Sequence, residues 1–224
     1  MYDAAFGADQ RDDVWSRDSR LRADPPLELL VATILASSMT FIDGTVVNVA
    51  LPALQADLHA TITDVQWVVE AYALFLGALI LVGGAMGDQL GRKRVFLFGV
   101  VSFTAASVLC GLATSPRLLI LARALQGIGA AFLVPGSLAL ISAAFSDAER
   151  GKAIGTWSGF SAITTAIGPV VGGWLIEHVS WRAAFFLNVP LAVIVVVLSL
   201  LRATSSKSCG RSPPSTRCSR AVSG

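Results

Sequence analysis

One stretch constrains this chain more than any other, namely residues 77–95, GALILVGGAMGDQLGRKRV, in which a glycine-rich apolar segment ends abruptly in an acid, a glycine and three cations. Such a junction is typical of a transmembrane helix that meets the cytoplasm. Arg92, Lys93 and Arg94 would each cost roughly 3 kcal/mol in the hydrocarbon core of a bilayer. They therefore mark a membrane boundary and its cytoplasmic side.

Six apolar runs of membrane-spanning length follow one another along the chain. They cover residues 27–51, 65–86, 95–113, 118–145, 153–176 and 183–201. With 54% hydrophobic and only 14% charged residues, the 224-residue chain also departs from the balance of a soluble domain. The sequence predicts an all-α integral membrane protein with a cytoplasmic segment at 1–26, a six-helix transmembrane bundle at 27–201 and a disordered cytoplasmic tail at 202–224.

The basic residues indicate which helix ends face the cytoplasm. Of the 17 Lys and Arg, 14 precede the first run, follow the last, or lie in the loops after the second and fourth runs. Arg117 and Arg182 lie on the opposite side. By the positive-inside rule, both termini are cytoplasmic in a multi-pass protein of the plasma (inner) membrane. The cations follow the membrane and form no basic face with interleaved aromatics, which argues against nucleic-acid binding.

Ionisable and polar side chains within the apolar runs are candidate functional residues, because an idle charge at membrane depth costs stability. Asp43, with Asn48 five residues later, is a candidate for reversible protonation, and its alternative role is a static hydrogen bond to a neighbouring helix. Glu70 either handles a proton or substrate, or reaches water at a helix end. Arg123 needs a partner, and Asp43, Glu70 and helix carbonyls all remain open.

The fifth apolar run carries no charge and is rich in glycine. Its helix-packing residues are Gly155, Gly159, Gly168, Pro169, Gly172 and Gly173. Glycines at these spacings allow a second helix to approach closely, and the proline removes one backbone hydrogen bond. This pattern predicts a helix that packs tightly and bends.

Four short motifs follow one another in the chain. The first run contains D-x-T-x-x-N-x-A-x-P, formed by Asp43, Thr45, Asn48, Ala50 and Pro52. The loop after the second run contains G-x-x-x-D-x-x-G-R-K, formed by Gly84, Asp88, Gly91, Arg92 and Lys93. The fourth run contains R-x-x-Q-G-x-G, formed by Arg123, Gln126, Gly127 and Gly129. The fifth contains G-P-x-x-G-G, formed by Gly168, Pro169, Gly172 and Gly173.

In this order and spacing the motifs resemble those of the major facilitator superfamily, in particular its drug:proton antiporters with 14 spans. The resemblance covers roughly residues 27–201. It implies proton coupling through Asp43 and Arg123, a gating loop around Asp88, and export rather than uptake. Trp181–Pro190 resembles a further motif of the subgroup, W-R-W-x-F-x-x-N-x-P, although Ala183 replaces its second aromatic.

The resemblance implies eight further spans after the sixth, whereas the sequence continues as a Ser-, Arg- and Pro-rich tail. We therefore expect a truncated or frameshifted N-terminal half of a proton-coupled efflux transporter for hydrophobic or cationic drugs, inactive alone. Its energy source is the proton gradient, without a cofactor or metal. Its partners are the lipid bilayer, a small-molecule substrate, and a missing half, a second copy or another membrane chain.

Two alternatives to this expectation are a non-transporting fragment that associates with a partner and, with less support, an uptake permease. An enzyme has the least support of all, because the sequence contains no nucleophile with a partnered base, no metal-ligand cluster and no phosphate-binding loop.

Overall fold

A computed structural model describes residues 27–209, and every regular element in this range is a helix. The helices are α1 (Leu27–Asp57), α2 (Ile62–Leu90), α3 (Arg92–Gly111), α4 (Pro116–Ala144), α5 (Asp147–His178), α6 (Trp181–Phe186) and α7 (Asn188–Cys209). The five long helices α1–α5 and the segment Trp181–Ser199, which joins α6 to α7, are long and apolar enough to cross a membrane. The predicted all-α bundle of six spans is therefore confirmed.

The helices extend beyond the apolar runs, because a helix continues into its polar ends after hydrophobicity has fallen. α1 ends at Asp57 rather than at 51, and α7 ends at Cys209 rather than at 201. Residues 202–209 of the predicted disordered tail are thus helical. The predicted cytoplasmic segment 1–26 and residues 210–224 of the tail lie outside the described residues.

Local sequence signals explain where the helices begin and turn. Thr61 and Asp64 form a capping box at the start of α2, in which the Thr61 amide donates to the Asp64 carboxylate over 3.0 Å. Ser115 caps α4, and Pro116 follows it in the first turn. Gly91 joins α2 to α3 with a φ of +95°, a conformation that favours glycine.

We call the end of the bundle at Gly91 the basic end, and the end at Thr61 and Ser115 the opposite end.

Helix α4 packs closely against both α2 and α3, because glycines on the facing helices remove the side chains between them. A Cβ atom at Gly127 would lie 2.5 Å from the Tyr72 carbonyl oxygen of α2. A Cβ atom at Gly129 would lie 2.5 Å from the Phe103 nitrogen of α3. α2 and α3 reciprocate through glycines of their own, Gly83 and Gly99, which face the α4 backbone. α4 is thereby fixed on two sides.

A layer of buried polar residues separates two of the three apolar clusters of the core. Toward the basic end, one cluster contains Met39, Phe96, Phe103 and Leu133. Toward the opposite end, a second cluster contains Val47, Leu54, Cys110, Leu119, Trp181 and Phe185. Along α1, α3 and α4, the residues between these clusters are Asp43, Ser107, Arg123 and Gln126, all of them buried. The fold thus positions its buried charges in the middle of the bundle.

The contact between α5 and α1 uses only part of the glycine pattern of α5. A Cβ atom at Gly168 would overlap the Thr45 hydroxyl, and one at Gly172 would lie 2.8 Å from a Val46 methyl group. Gly155, Gly159 and Gly173 have no neighbour within 4 Å of such an atom. The predicted close approach is therefore confirmed at Gly168 and Gly172. At Gly155, Gly159 and Gly173, which face no described helix this closely, it stays a prediction.

We expect Gly172→Leu to destabilise the bundle by about 1–3 kcal/mol, because the new side chain would force α5 away from Val46. The adjacent Gly173→Leu is the matched control and should leave stability unchanged or raise it, since leucine has the higher helix propensity. Thermal unfolding of the two variants in the same detergent measures the difference. Equal effects of the two substitutions would contradict the packing described here.

Candidate functional site

The centre of the bundle contains an ion pair between Asp43 of α1 and Arg123 of α4. Asp43 is 2% exposed and Arg123 is 1% exposed. The Arg123 Nη1 atom donates to Asp43 Oδ2 over 2.6 Å. Two charges buried this deeply are tolerable only when they are paired and their remaining hydrogen-bonding groups have partners. The surrounding residues provide those partners.

Gln126, one turn after Arg123 on α4, joins both members of the pair. Its Oε1 atom accepts from Arg123 Nη1 over 2.7 Å, and its Nε2 atom donates to Asp43 Oδ1 over 2.8 Å. The Arg123 Nε atom donates to the Val68 carbonyl of α2 over 3.1 Å. The cluster therefore links α1, α2 and α4.

Ser107 of α3 and Asn188 at the start of α7 extend the cluster to the sixth span. The Asn188 Nδ2 atom donates to Ser107 Oγ over 2.8 Å and to Asp43 Oδ1 over 3.4 Å. Ser107 in turn donates to the Phe185 carbonyl of α6 over 2.9 Å. Asn188 is 1% exposed, and its Oδ1 atom has no hydrogen-bond partner among the described residues.

Two further residues of the cluster contact Arg123 and Gln126. The Arg123 guanidinium lies 4.2 Å from the centre of the Tyr72 ring, a cation–π contact with α2. The Cys110 thiol of α3 donates to Gln126 Oε1 over 3.5 Å. Five of the six spans thus contribute a group to the cluster, and α5 does not.

The geometry matches a carboxylate rather than a carboxylic acid at Asp43, since Arg123, Gln126 and Asn188 all donate to it. Addition of a proton to Asp43 would remove the charge that balances Arg123. The guanidinium would keep its bonds to Val68 and Gln126 while losing its counter-ion. The arrangement can therefore couple the protonation of one carboxylate to contacts on several helices.

The structure separates the predicted site residues into two groups. It brings Asp43, Arg123 and Gln126 together, and it resolves the partner of Arg123 in favour of Asp43 together with a helix carbonyl. Glu70 is exposed on α2 and has no place in the cluster. Asn48 is also exposed, and its Nδ2 atom donates to the Gly44 carbonyl of its own helix over 2.7 Å.

The cluster residues that sequence reasoning missed are Tyr72, Ser107, Cys110 and Asn188. For Asn188 there was a usable signal, because it is a lone amide inside an apolar run and falls within the Trp181–Pro190 motif. Serine and tyrosine are common in membrane helices, so their types alone did not distinguish Ser107 or Tyr72.

The predicted gating loop lies at the basic end, away from the ion pair. Asp88, in the last turn of α2, pairs with Arg92, the first residue of α3, with 3.1 Å between Oδ1 and Nη2. Arg92 also donates to the Ala139 carbonyl of α4 over 3.2 Å. Asp88 is thus paired with a cation of its own loop motif. Lys93 lines a small cavity with Glu28, whereas a Cβ atom at Gly84 would have no neighbour within 4 Å.

A groove of about 310 Å³ lies beside the cluster, between α1, α2, α4 and α5. Its lining is mainly apolar with a few hydroxyls, and consists of Thr40, Phe41, Gly44, Thr45, Tyr72, Leu76, Ile80, Val134 and Thr165. Tyr72 is shared, since it lines the groove and also covers Arg123. The groove and the ion pair therefore meet at one aromatic side chain. Pro169 of the helix-five motif is exposed and lies outside the groove lining.

Comparison with known proteins gives consistent results. A model of the Major Facilitator Superfamily matches residues 33–217. The chain is 44% identical to the puromycin resistance protein pur8 of Streptomyces alboniger over 75% of this chain and 34% of that protein. It is 38% identical to the tetracenomycin C resistance and export protein of Streptomyces glaucescens, over 81% of this chain and 34% of that protein. It is 42% identical to the multidrug resistance protein Stp of Mycobacterium tuberculosis, over 76% of this chain and 32% of that protein. The chain thus spans about a third of the length of these relatives.

Solved transporter structures share the fold at low sequence identity. A crystal structure of the peptide transporter POT matches with a TM-score of 0.69 at 15% identity, over 83% of this chain and 38% of that chain. A bacterial homologue of the human lysosomal transporter Spinster matches with a TM-score of 0.63 at 22% identity, over 80% of this chain and 43% of that chain.

The four motifs, the bundle of six spans and the match over residues 33–217 agree with one another. They confirm the resemblance that the sequence indicated, to a family of membrane transporters rather than enzymes. The chain belongs to the Major Facilitator Superfamily.

Proposed function

We propose that this chain is one six-helix half of a proton-coupled exporter of hydrophobic or cationic small molecules. The observation that carries the proposal is the buried Asp43–Arg123 pair, placed inside a membrane-spanning bundle and beside a groove. The relatives include resistance and export proteins, which supports export as the direction. The energy source in this proposal is the proton gradient, and no cofactor takes part.

Asp43 is the proton carrier in the proposed mechanism. When ionised, it holds α1 against α4 through Arg123 and Gln126. When protonated, it no longer neutralises Arg123, so the contacts of α1 with α2 and α4 weaken and a second arrangement of the helices becomes accessible. Alternating access of Asp43 to the two sides of the membrane would then couple proton entry to substrate exit.

The groove forms one wall of the proposed substrate pathway. Its apolar lining suits a hydrophobic body, and the hydroxyls of Thr40, Thr45 and Thr165 provide a few hydrogen-bonding positions. Tyr72 separates the groove from Arg123, so a cationic substrate in the groove would lie near the ion pair. Protonation of Asp43 and occupation of the groove by a cation would therefore influence each other electrostatically.

A second helical unit would supply the other wall. The apolar, membrane-spanning stretches of α2 and α5 are mostly exposed: only 22% of the residues in that of α2 and 17% in that of α5 are buried. In α1, α3 and α4 the buried share is 50% or more. The exposed faces of α2 and α5 are where we place this unit, which comes from a longer form of the protein, a second copy or another membrane chain. In the absence of this second unit, the chain would not transport substrate by itself, although it could still associate with such a unit.

The proposed orientation places the basic end at the cytoplasm, with both termini there, in the plasma membrane. In that orientation the Asp88–Arg92 pair lies at the cytoplasmic surface and ties the α2–α3 loop to α4 through Ala139. Release of this contact would free the loop when the helices rearrange. Gly84, Gly91 and Lys93 complete the proposed gating loop.

Exchange of Asp43 for asparagine should abolish export driven by a pH gradient, because asparagine cannot gain or lose the proton. The test uses a chimera in which this chain replaces the matched third of the puromycin resistance protein pur8. Puromycin accumulation in inside-out vesicles with an acidic interior gives the rate. Glu177→Gln, an exposed acid of α5 without a contact in the cluster, is the matched control.

If the Asp43→Asn chimera transported puromycin at the rate of the unchanged chimera, the proposal of proton coupling through Asp43 would be wrong. Puromycin accumulation by this chain alone would instead contradict the need for a second unit. An unchanged chimera that inserts and folds but exports nothing would favour the alternative of a non-transporting fragment.

Exchange of Tyr72 for leucine should destabilise the bundle by about 1–2 kcal/mol, because the Arg123 guanidinium loses its cation–π contact. Tyr72→Phe keeps the ring and should change stability by less than about 0.5 kcal/mol. Unfolding of both variants in detergent measures the difference. If phenylalanine were as damaging as leucine, the hydroxyl rather than the ring would be responsible, against the geometry described here.

A further inference from the structure

Asn188 differs from the other polar groups around Asp43 because it has an unused acceptor. Its Nδ2 atom donates to Ser107 Oγ over 2.8 Å and to Asp43 Oδ1 over the long distance of 3.4 Å. Its Oδ1 atom is buried and has no partner among the described residues. An unpaired buried carbonyl is costly, so its retention next to a titratable carboxyl requires a reason.

The other groups that face Asp43 cannot accept a hydrogen bond from it in their present arrangement. Arg123 of α4 has no acceptor atom at all. The Gln126 amide already uses its oxygen for Arg123 and for the Cys110 thiol of α3. Tyr72 of α2 contacts Arg123 through its ring and has no hydrogen bond to Asp43 among the described residues. Ser107 Oγ of α3 already accepts from Asn188 over 2.8 Å and from Gln126 over 3.3 Å. The neighbours of Asp43 in α2, α3 and α4, which include all its titratable and charged neighbours, therefore offer hydrogen-bond donors or occupied acceptors. This arrangement suits an ionised Asp43.

A protonated Asp43 carries a hydroxyl that must itself be satisfied in the dry interior. Among the described residues of the cluster, Asn188 Oδ1 is a buried acceptor without a hydrogen-bond partner. A half-turn of the Asn188 amide about its Cβ–Cγ bond would exchange Nδ2 and Oδ1, and would so bring the carbonyl toward Asp43 Oδ1, which Nδ2 contacts over 3.4 Å.

We propose that the side-chain carbonyl of Asn188 is the acceptor for the hydroxyl of protonated Asp43, which makes Asn188 a positioning residue for the proton-loaded state. The inference rests on the proposed function, in which Asp43 takes up the transported proton. The step is the transfer of one proton from a hydronium ion to Asp43, which breaks one O–H bond of the hydronium, releases water and forms the O–H bond of the carboxylic acid. The Asn188 amide then turns, gives up the hydrogen bonds of its Nδ2 atom to Asp43 and Ser107, and accepts the new hydroxyl at Oδ1. Asn188 is the first residue of α7. Proton binding at Asp43 would therefore change a hydrogen bond between α1 and the sixth span.

Infrared spectroscopy of the full chain tests this directly, because the sequence contains only two asparagines, Asn48 and Asn188. Asn48→Gln leaves Asn188 as the single asparagine, which is then isotope-labelled at its side-chain carbonyl carbon. In a pH titration of the detergent-purified chain, the carboxylic-acid band that Asp43→Asn removes reports protonation of Asp43. We expect the labelled Asn188 band to move to lower frequency with the same pH midpoint, as a carbonyl does when it accepts a hydrogen bond.

A pair of variants gives a second readout that a merely structural role would not produce. Asn188→Leu removes both the acceptor and the long 3.4 Å donation to Asp43 Oδ1. Because a hydrogen bond of that length is weak, the loss of the acceptor should dominate and lower the pH midpoint of Asp43 protonation by about one unit, a tenfold loss of proton affinity. Gln126→Leu removes a donor to the carboxylate and should raise the midpoint. Opposite signs are expected because Gln126 only donates to Asp43, over 2.8 Å, whereas the main contribution proposed for Asn188 is the acceptor for the hydroxyl of protonated Asp43.

Each outcome decides between the two proposals. If Asp43 titrates while the labelled Asn188 band stays fixed, or if Asn188→Leu raises the midpoint as Gln126→Leu does, the inference about Asn188 is overturned and proton uptake by Asp43 stands. If no carboxylic-acid band depends on Asp43 at any pH at which the chain stays folded, both proposals are overturned.

Discussion

The buried ion pair between Asp43 and Arg123 is the interaction on which the rest of the structure depends. Its two charges lie at 2% and 1% exposure in a bundle whose surroundings are hydrocarbon, where an unpaired charge is strongly unfavourable. The pair is acceptable only because Gln126 bridges it and the Val68 carbonyl accepts from Arg123. Those bonds in turn fix the relative positions of α1, α2 and α4. The same arrangement makes the bundle sensitive to a single proton.

Close helix packing makes this polar layer possible. Gly127 follows Gln126 on α4 and lies against the Tyr72 backbone, so α2 comes near enough for the Tyr72 ring to cover Arg123. Gly129 does the same toward α3, which carries Ser107. The helix-four motif thus combines two functions in adjacent residues. Arg123 and Gln126 supply the polar contacts, and the glycines bring the neighbouring helices within reach of them.

Sequence reasoning predicted the spans and the motif residues because hydrophobic runs and fixed spacings are local properties. It identified Asp43 and Arg123, yet it could not choose between Asp43 and Glu70 as the partner, since that choice depends on which face of α2 meets α4. The same uncertainty about helix rotation explains why Asn48 was grouped with Asp43, although it is exposed and bonds to Gly44. Asn188 was missed because its partners, Ser107 and Asp43, are distant in sequence and come together only when the sixth span packs on α1 and α3.

A double-mutant cycle between Asp43 and Arg123 tests the central claim most directly. The free energy of unfolding in detergent would be measured for the unchanged chain, Asp43→Asn, Arg123→Gln and the double variant. Removal of one partner from a buried pair typically costs about 3–5 kcal/mol. We expect the Asp43→Asn variant, with Arg123 left uncompensated, to be less stable than the double variant. Strictly additive effects of the two substitutions would show that the two side chains do not form the interaction on which this account rests.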